Sequence, residues 1–192
     1  MAIFSTMHYD IPDSLLEFAK HFAPKIVPQK RTAGWQETQT ETRGYGDLSD
    51  MLGSLAVFDL LTAAKKVCKL DVTCGTSDAS DVVVRVKNEF KNINVKTSSY
   101  APFRSGLNLY VKAEELDKEI DAYLQCFVHL NEPGYAPHVH IAGWIPTTSK
   151  AWEGYKADLI TIPNTGGHKG IKIPLEKLGS FDSFLKIIDE KF

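Results

Sequence analysis

The sequence predicts an α/β fold in which helices flank a mixed central β-sheet, as in an α/β sandwich. The first observation is the alternating stretch 81–99, which predicts a β-hairpin. The second is the strongly apolar helical stretch 47–69 before it. The third is a pair of apolar strands after it, at 122–130 and 139–145. Helix, hairpin and further strands in this order suit one layered domain.

Length and composition suit a single globular unit. Of the 192 residues, 43% are hydrophobic and 24% are charged, which is ordinary for a globular protein. We expect an N-terminal helix and loop extension over residues 1–45 and the main α/β domain over 46–192, together forming one structural unit. The net charge of −2 gives no global attraction to nucleic acid, so any nucleic-acid surface must be a local patch.

Cysteine usage and hydropathy predict a cytoplasmic location. Cys68, Cys74 and Cys126 are odd in number and lack CxxC spacing, which indicates free thiols in a reducing compartment and not disulfides or a zinc site. No apolar run reaches the length of a membrane span. The first residues also lack the basic and apolar segments of a secretion signal.

Two helices are predicted before the hairpin. Residues 11–22 form an amphipathic stretch, and residues 24–43 predict an irregular loop because prolines and a glycine interrupt them. Basic residues around Trp35 in this loop either touch a DNA backbone or belong to a solvated linker. Residues 47–69 are the strongest helix of the sequence, with a wide apolar face and lysines towards the C-terminal end. A short strand is predicted at 70–73.

The hairpin brings polar residues to one of its two faces. Its strands flank a polar turn at 87–90, and pairing about this turn places Asp81 opposite Lys96. Because side chains alternate along a strand, Asp81, Asn94 and Lys96 share one face. The other face is apolar and carries Val82, Val84, Ile93 and Val95.

This arrangement suits the hydrolysis of a phosphodiester. That reaction needs a hard cation, usually Mg²⁺, held by one or two carboxylates and a phosphate oxygen. A lysine beside the metal orients the attacking water or neutralises the developing negative charge. We expect Asp81 and the Val95 carbonyl oxygen to bind Mg²⁺, for which Mn²⁺ can substitute, and Lys96 to act on the water or the charge.

Asp81 and the tripeptide Asn94-Val95-Lys96 resemble the motif of the PD-(D/E)xK nuclease superfamily, which includes many restriction endonucleases and repair nucleases. The resemblance covers about residues 46–145. It implies a restriction-endonuclease-like α/β/α sandwich and a metal-dependent nuclease. Asn94 departs from the acidic residue that is usual at its position, although the superfamily also contains a QxK form. An amide ligates Mg²⁺ without supplying charge, so Asn94 would be a weak ligand.

The resemblance further implies a carboxylate from the helix before the hairpin. Asp50 is the candidate and Asp47 is the alternate. Either residue also suits the first turn of a helix through its charge alone. Asp78 competes with Asp81 for the metal, but Asp78 fits a turn better and Asp81 lies at the strand edge.

Candidate DNA contacts lie after the hairpin. The loop 98–106 offers Tyr100 for base stacking and Ser98 and Arg104 for phosphates, and Lys169 in a glycine-rich turn is a further phosphate donor. All four also suit ordinary loops. The remaining predicted elements are a strand at 107–111, a charged helix at 113–120, a hairpin of strands 158–162 and 170–173, and a helix at 181–192.

Three histidines suggest a metal site without predicting one. His138 and His140 have H-x-H spacing, which puts both on one face of a strand, and His129 lies on the strand before. No cysteine, aspartate or glutamate accompanies them at tight spacing. The sequence alone therefore favours a structural role.

The sequence thus predicts a Mg²⁺-dependent endonuclease that hydrolyses DNA, of restriction, repair or phage type. Cutting both strands with one site per chain implies a homodimer. The alternative is a nuclease fold that has lost catalysis and binds DNA or another protein. No nucleophile elbow, dinucleotide-binding glycine pattern or metal triad favours a small-molecule enzyme.

Overall fold

The helices and strands follow the hydrophobic periodicity of the chain. The computed structural model describes residues 6–32, 43–70, 81–98, 107–130, 134–163 and 165–190, with the backbone alone at 24–32, 43–47 and 189–190. In chain order the elements are β1 Met7–Asp10, α1 Asp13–Thr32, α2 Arg43–Ala63, β2 Cys68–Leu70, β3 Val82–Val86, β4 Glu89–Ser98, β5 Asn108–Lys112, β6 Ala122–His129, β7 His138–Pro146, α3 Lys150–Lys156, β8 Ile160–Thr161, β9 Lys169–Pro174 and α4 Phe181–Glu190.

Six strands form a mixed central sheet. Their order is β1-β7-β6-β4-β3-β2. Strands β4 and β6 run parallel, and the other neighbours are antiparallel. Seven consecutive residues of β6 are buried, as expected for a central strand covered on both faces. The predicted α/β fold with a mixed sheet and helices is therefore confirmed.

Different layers cover the two faces of this sheet. Apolar residues of α1, α2 and α4 form one large core with alternate residues of β3, β4, β6 and β7. The other face packs against a three-stranded sheet of order β5-β9-β8 and against Trp152 of α3. Gly53 lets α2 approach β4 closely, because a Cβ there would collide with the Thr97 methyl group. Within the described ranges, no helix is both long and apolar enough to cross a membrane.

The hairpin β3–β4 has a tighter turn than expected. Val86 pairs with Glu89 and Val82 with Ile93, so the connection is two residues and not four. Lys87 adopts a φ of 55°, the left-handed conformation that such short turns require. The predicted pairing of Asp81 with Lys96 is therefore wrong: the ladder ends at Val82, and the Asp81 N–H donates to the carbonyl of Ile93, the partner of Val82. A shift of two residues preserves the faces, so Val82, Val84, Ile93 and Val95 remain buried as predicted.

Several predicted helix and loop boundaries also change. The helix α1 extends to Thr32 and α2 begins at Arg43, so residues 24–32 of the expected loop 24–43 are helical, while residues 33–42 lie outside the described part of the chain. Prolines in α1 remove hydrogen bonds, but their fixed φ is compatible with a helix. The expected helix 113–120 is only a 3-10 turn, Ala113–Glu115. Strand β1 and helix α3 were not expected.

A close backbone contact lies where β7 bends. The β6–β7 register shifts between Gln125 and Cys126, and Gly143 at this irregularity has a φ of 152°. Trp144 next to it exchanges backbone hydrogen bonds of 2.9 Å with Gly179. The chain before α4 is thus attached directly to the central sheet.

Candidate functional site

The predicted metal-binding residues lie where β4 continues beyond the start of β3. The Asp81 carboxylate accepts a hydrogen bond from the Val95 backbone N–H at 2.7 Å, and the Asp81 N–H donates to the Ile93 carbonyl at 2.9 Å. A strand's backbone N–H groups lie in the plane of the sheet. The Asp81 carboxylate therefore lies at the edge of β4. The N–H and C=O groups of one strand residue point to the same neighbouring strand. The Val95 carbonyl oxygen therefore points to the same edge of β4 as the Val95 N–H.

Asn94 and Lys96 share a face of β4, as predicted from alternation. In the parallel pairing with β6, Asn94 lies beside Tyr123 and Lys96 beside Gln125. The Lys96 ammonium lies 5.8 Å from the centre of the Tyr123 ring. Tyr123 belongs to the core beneath the three-stranded sheet, so these residues face away from the helices α1, α2 and α4.

A carboxylate holds the lysine in place. The Lys96 ammonium donates to both carboxylate oxygens of Glu115 at 2.8 Å, and the two side chains are only 22% and 14% exposed. Glu115 also accepts a hydrogen bond from the Lys112 backbone N–H at 3.2 Å. Two charge-assisted hydrogen bonds in a partly desolvated place make a strong and well-oriented pair.

The protonation state of Glu115 follows from this pairing. Burial disfavours the charged carboxylate, but the attraction and hydrogen bonds of Lys96, with a smaller contribution from Lys112, outweigh burial and lower the pKa of Glu115 below its ordinary value. Glu115 is therefore ionised at neutral pH and Lys96 has a permanent partner there. The hydroxyl of Tyr123, which lies beside Lys96, donates a hydrogen bond to the Glu115 backbone carbonyl at 3.1 Å.

Asp50 approaches the end of β4 from the opposite side. Its carboxylate accepts a hydrogen bond from the Thr97 hydroxyl, and Thr97 lies on the face that packs against Gly53 of α2. Lys96 points to the other face. Asp50 and Lys96 thus flank the C-terminal end of β4 from two sides of the sheet.

The charge of Asp81 acts on both sides of the sheet. Burial, followed by the charges of Glu115 and Asp81, raises the pKa of the Tyr123 hydroxyl. Burial and then the Asp81 charge raise the pKa of the Cys126 thiol. Cys126 belongs to the core on the helix side and Tyr123 to the core on the other side. This agrees with an Asp81 carboxylate in the plane between them.

Of the sequence-predicted residues, Asp81 contacts the Val95 backbone, and Asn94 and Lys96 are the neighbours of Val95 along β4. Asp50 lies at the same end of β4. Ser98 is the last residue of β4 and is partly buried. Lys169 does not join this group, because it lies in the three-stranded sheet and its ammonium contacts the Thr161 hydroxyl at 3.2 Å. Asp78, Tyr100 and Arg104 lie outside the described residues, as does the side chain of Asp47.

Sequence reasoning missed Glu115. The residue follows β5 directly in an acidic pair with Glu114, and this pattern looks like the start of the charged helix predicted there. Only the tertiary fold, in which the 3-10 turn packs against β9, brings its carboxylate to Lys96. An acidic residue that contacts a lysine on a distant strand produces no recognisable local sequence pattern.

The donor set suits a hard cation. A carboxylate and a backbone carbonyl converge at the β4 edge, with the carboxylate of Asp50 on the helix side, and oxygen ligands of this kind are those that Mg²⁺ prefers. The Cys126 thiol is not available as a ligand, since it is fully enclosed in the core. Comparison with family models, with curated proteins and with solved structures found no match.

Proposed function

We propose that this chain is a Mg²⁺-dependent nuclease that cleaves DNA phosphodiester bonds internally, on a restriction-endonuclease-like α/β fold in which a small β-sheet covers the face opposite α1, α2 and α4. The observation that carries the proposal is the hydrogen bond of the Asp81 carboxylate to the Val95 backbone at 2.7 Å. It holds an acidic residue against the strand that carries Asn94 and Lys96. The spacing that resembles the nuclease motif in sequence is thus matched by proximity in space.

The metal ligands follow from that geometry. Asp81 and the Val95 carbonyl oxygen would hold Mg²⁺, with Asp50 supplying a carboxylate from α2 and Asn94 a weak neutral ligand. When bound, Mg²⁺ would polarise the phosphate and lower the pKa of the attacking water. Mg²⁺ needs only a few protein ligands, because it keeps several of its coordinated waters.

Lys96 contributes positive charge to the same place. Its ammonium would stabilise the charge that develops on the phosphate or orient the water. Glu115 keeps this ammonium extended and oriented before substrate binds, and a DNA phosphate would compete with Glu115 for it. Glu115 also supplies a second carboxylate near Lys96, on the side where Asn94 replaces the usual acidic residue.

The second candidate function is a nuclease fold without catalysis that binds DNA or a protein. One observation favours it: both carboxylate oxygens of Glu115 already occupy the Lys96 ammonium. This pair neutralises the charges of Lys96 and Glu115, and Asn94 is a neutral amide. Less net charge is therefore available at the site for catalysis. Under this alternative Lys96 and Glu115 have only a structural role.

The partners follow from the chemistry. DNA is the expected substrate, with Ser98 at the end of β4 and Lys169 as candidate backbone contacts. Because one site cuts one strand, cleavage of both strands implies a homodimer. A sedimentation measurement with and without duplex DNA tests this expectation, and a monomer that cuts both strands at once would contradict it.

The experiment uses Asp81→Asn with Asp158→Asn as its control. An asparagine at position 81 can still accept the Val95 hydrogen bond through its carbonyl oxygen, so the fold is preserved while the charge is lost. Asp158 is an exposed carboxylate after α3, outside the proposed site. Each protein is incubated with supercoiled, linear and single-stranded DNA, and with RNA, in Mg²⁺, Mn²⁺ or EDTA.

The nuclease proposal predicts metal-dependent cleavage by the wild type and Asp158→Asn, reduced at least about 100-fold in Asp81→Asn. Mg²⁺ should also raise the melting temperature of the wild type but not of Asp81→Asn. Cleavage that persists in Asp81→Asn would refute the metal assignment. Folded wild-type protein that neither cuts nor responds to Mg²⁺ would favour the non-catalytic alternative.

A further inference from the structure

Histidines from three neighbouring strands cluster on one face of the central sheet. His8 of β1 pairs with His140 of β7, and His129 of β6 pairs with His138 of β7. The His8 ring lies 4.9 Å, centre to centre, from each of the rings of His138 and His140. The His138 and His140 rings lie 5.0 Å apart. The H-x-H pair of the sequence is thus joined by a third histidine from the N-terminal strand.

The three rings have the spacing of a metal site. One nitrogen from each of His8, His138 and His140 lies within 4.8 Å of the other two. Three atoms with this spacing lie no more than about 2.8 Å from a common centre, against about 2.0–2.1 Å for a zinc–imidazole bond. A movement of roughly 0.7 Å per ring closes the difference, which small side-chain rotations supply.

Hydrogen bonds already fix which nitrogen of two rings can bind a metal. His138 Nδ1 lies 2.8 Å from the Ala136 carbonyl oxygen, which can only accept, so Nδ1 carries the proton and Nε2 carries the lone pair. His8 Nε2 lies 2.9 Å from the Asp10 carboxylate, which leaves Nδ1 as the ligand. Metal-binding histidines almost always donate their second nitrogen to a carbonyl or a carboxylate in this way.

We propose that His8, His138 and His140 bind one Zn²⁺ ion through three imidazole nitrogens. Three neutral nitrogen ligands suit a borderline metal such as Zn²⁺ and not Mg²⁺. His138 is 3% exposed, whereas the His8 side chain is 48% exposed. The site therefore opens to solvent on the β1 side, and the fourth coordination position is available to water, as in zinc sites with three protein ligands. The inference is independent of the nuclease proposal.

Neighbouring residues have supporting roles. The His129 ring stacks on His138 at 4.7 Å between ring centres and closes the site on the β6 side. Asp10 positions His8 through its hydrogen bond. As a positioning residue, Asp10 should matter less than a ligand, so Asp10→Asn should weaken Zn²⁺ binding by about 10-fold.

The test uses full-length protein without a histidine tag, stripped of metal by a chelator. Binding of Zn²⁺ is measured by titration calorimetry, and Co²⁺ is used to record the visible absorption of a tetrahedral site. His8→Ala is the test variant, because the half-exposed ring at the sheet edge can be removed without opening the core. His168→Ala is the control, since His168 is exposed in the turn before β9.

We expect one Zn²⁺ per chain for the wild type and His168→Ala, and at least about 100-fold weaker binding for His8→Ala. At Zn²⁺ concentrations about 100-fold above Kd, the melting temperature of the wild type should rise by about 5–10 °C. Folded His8→Ala protein that binds Zn²⁺ like the wild type would overturn the proposal. So would wild-type protein that binds no Zn²⁺, or equal losses in His8→Ala and His168→Ala.

Discussion

The pair of Lys96 and Glu115 should link the stability of the domain to its proposed activity. Lys96→Met removes the ammonium and leaves the Glu115 carboxylate, only 14% exposed, without its main counter-charge. Removing one partner of a buried ion pair costs about 3–5 kcal/mol. Because both side chains keep some contact with water, we expect about 3 kcal/mol for Lys96→Met, at the lower end of that range.

The reverse change and the double change complete the cycle. Glu115→Gln leaves a lysine that is 22% exposed and can reach water, so its cost should be about 1–2 kcal/mol. Lys96→Met combined with Glu115→Gln leaves no unpaired charge, and the glutamine can still accept the Lys112 N–H. The double variant should therefore be more stable than the sum of the two single changes predicts, by about 2 kcal/mol.

Urea unfolding of the four proteins measures this coupling, and the DNA cleavage assay is run on the same samples. If Lys96 acts on the phosphate, Glu115→Gln keeps part of the metal-dependent cleavage, because the Lys96 ammonium is still present, and the double variant is folded but inactive. Stability changes that add within about 0.5 kcal/mol would refute the stabilising pair. Cleavage by the folded double variant would refute a role of Lys96 in the reaction.

Two further predictions concern pH and backbone geometry. Since the pKa of Glu115 is lowered on folding, its contribution to stability is complete above the ordinary value of 4.5 and is lost as pH falls further. The difference in urea midpoint between wild type and Glu115→Gln should therefore shrink as the pH falls below 4.5, and a constant difference would contradict the pairing. Gly143→Ala should destabilise by about 2–4 kcal/mol, because its Cβ would lie 2.6 Å from the Gly179 carbonyl oxygen at a φ of 152°. Thermal melts of both variants test this, with Gly154→Ala as the control. It should lose no stability, because there is open space around its Cβ.

The central strands could be predicted because burial on both faces leaves a continuous apolar pattern. Strand β6 ends at His129 and β7 begins at His138, each within one residue of the predicted boundary. The hairpin register could not be predicted, since it depends on the left-handed backbone at Lys87. The predicted apolar face of the hairpin is nevertheless correct, because a shift of two residues leaves each side chain on the same face.

The expected helix at 113–120 failed for a tertiary reason. Its charged residues have good helix propensity, but the Asn92 side chain donates to the Glu119 carbonyl at 3.0 Å. The Asn92 backbone N–H donates to the Asp121 carboxylate at 2.8 Å. These bonds fix Glu119 and Asp121 against β4 just before β6 begins, and they outweigh local propensity.

The candidate sites were predictable where a local element, such as one strand or one hairpin, joins their residues. Asn94 and Lys96 lie two residues apart, and alternation places them correctly on one face. Glu115 and His8 reach their partners from distant parts of the chain. No local pattern records such contacts, and the fold is needed to find them.

The pairing of β1 with β7 has a consequence for how the protein folds. His8 and His140 are separated by about 130 residues, and bringing such distant segments together costs about 4 kcal/mol in chain entropy. During synthesis β1 emerges well before β7, its neighbour in the described central sheet. The N-terminal strand therefore docks late, and non-local pairing of this kind slows folding. A metal ion shared between β1 and β7 would hold that last strand in place.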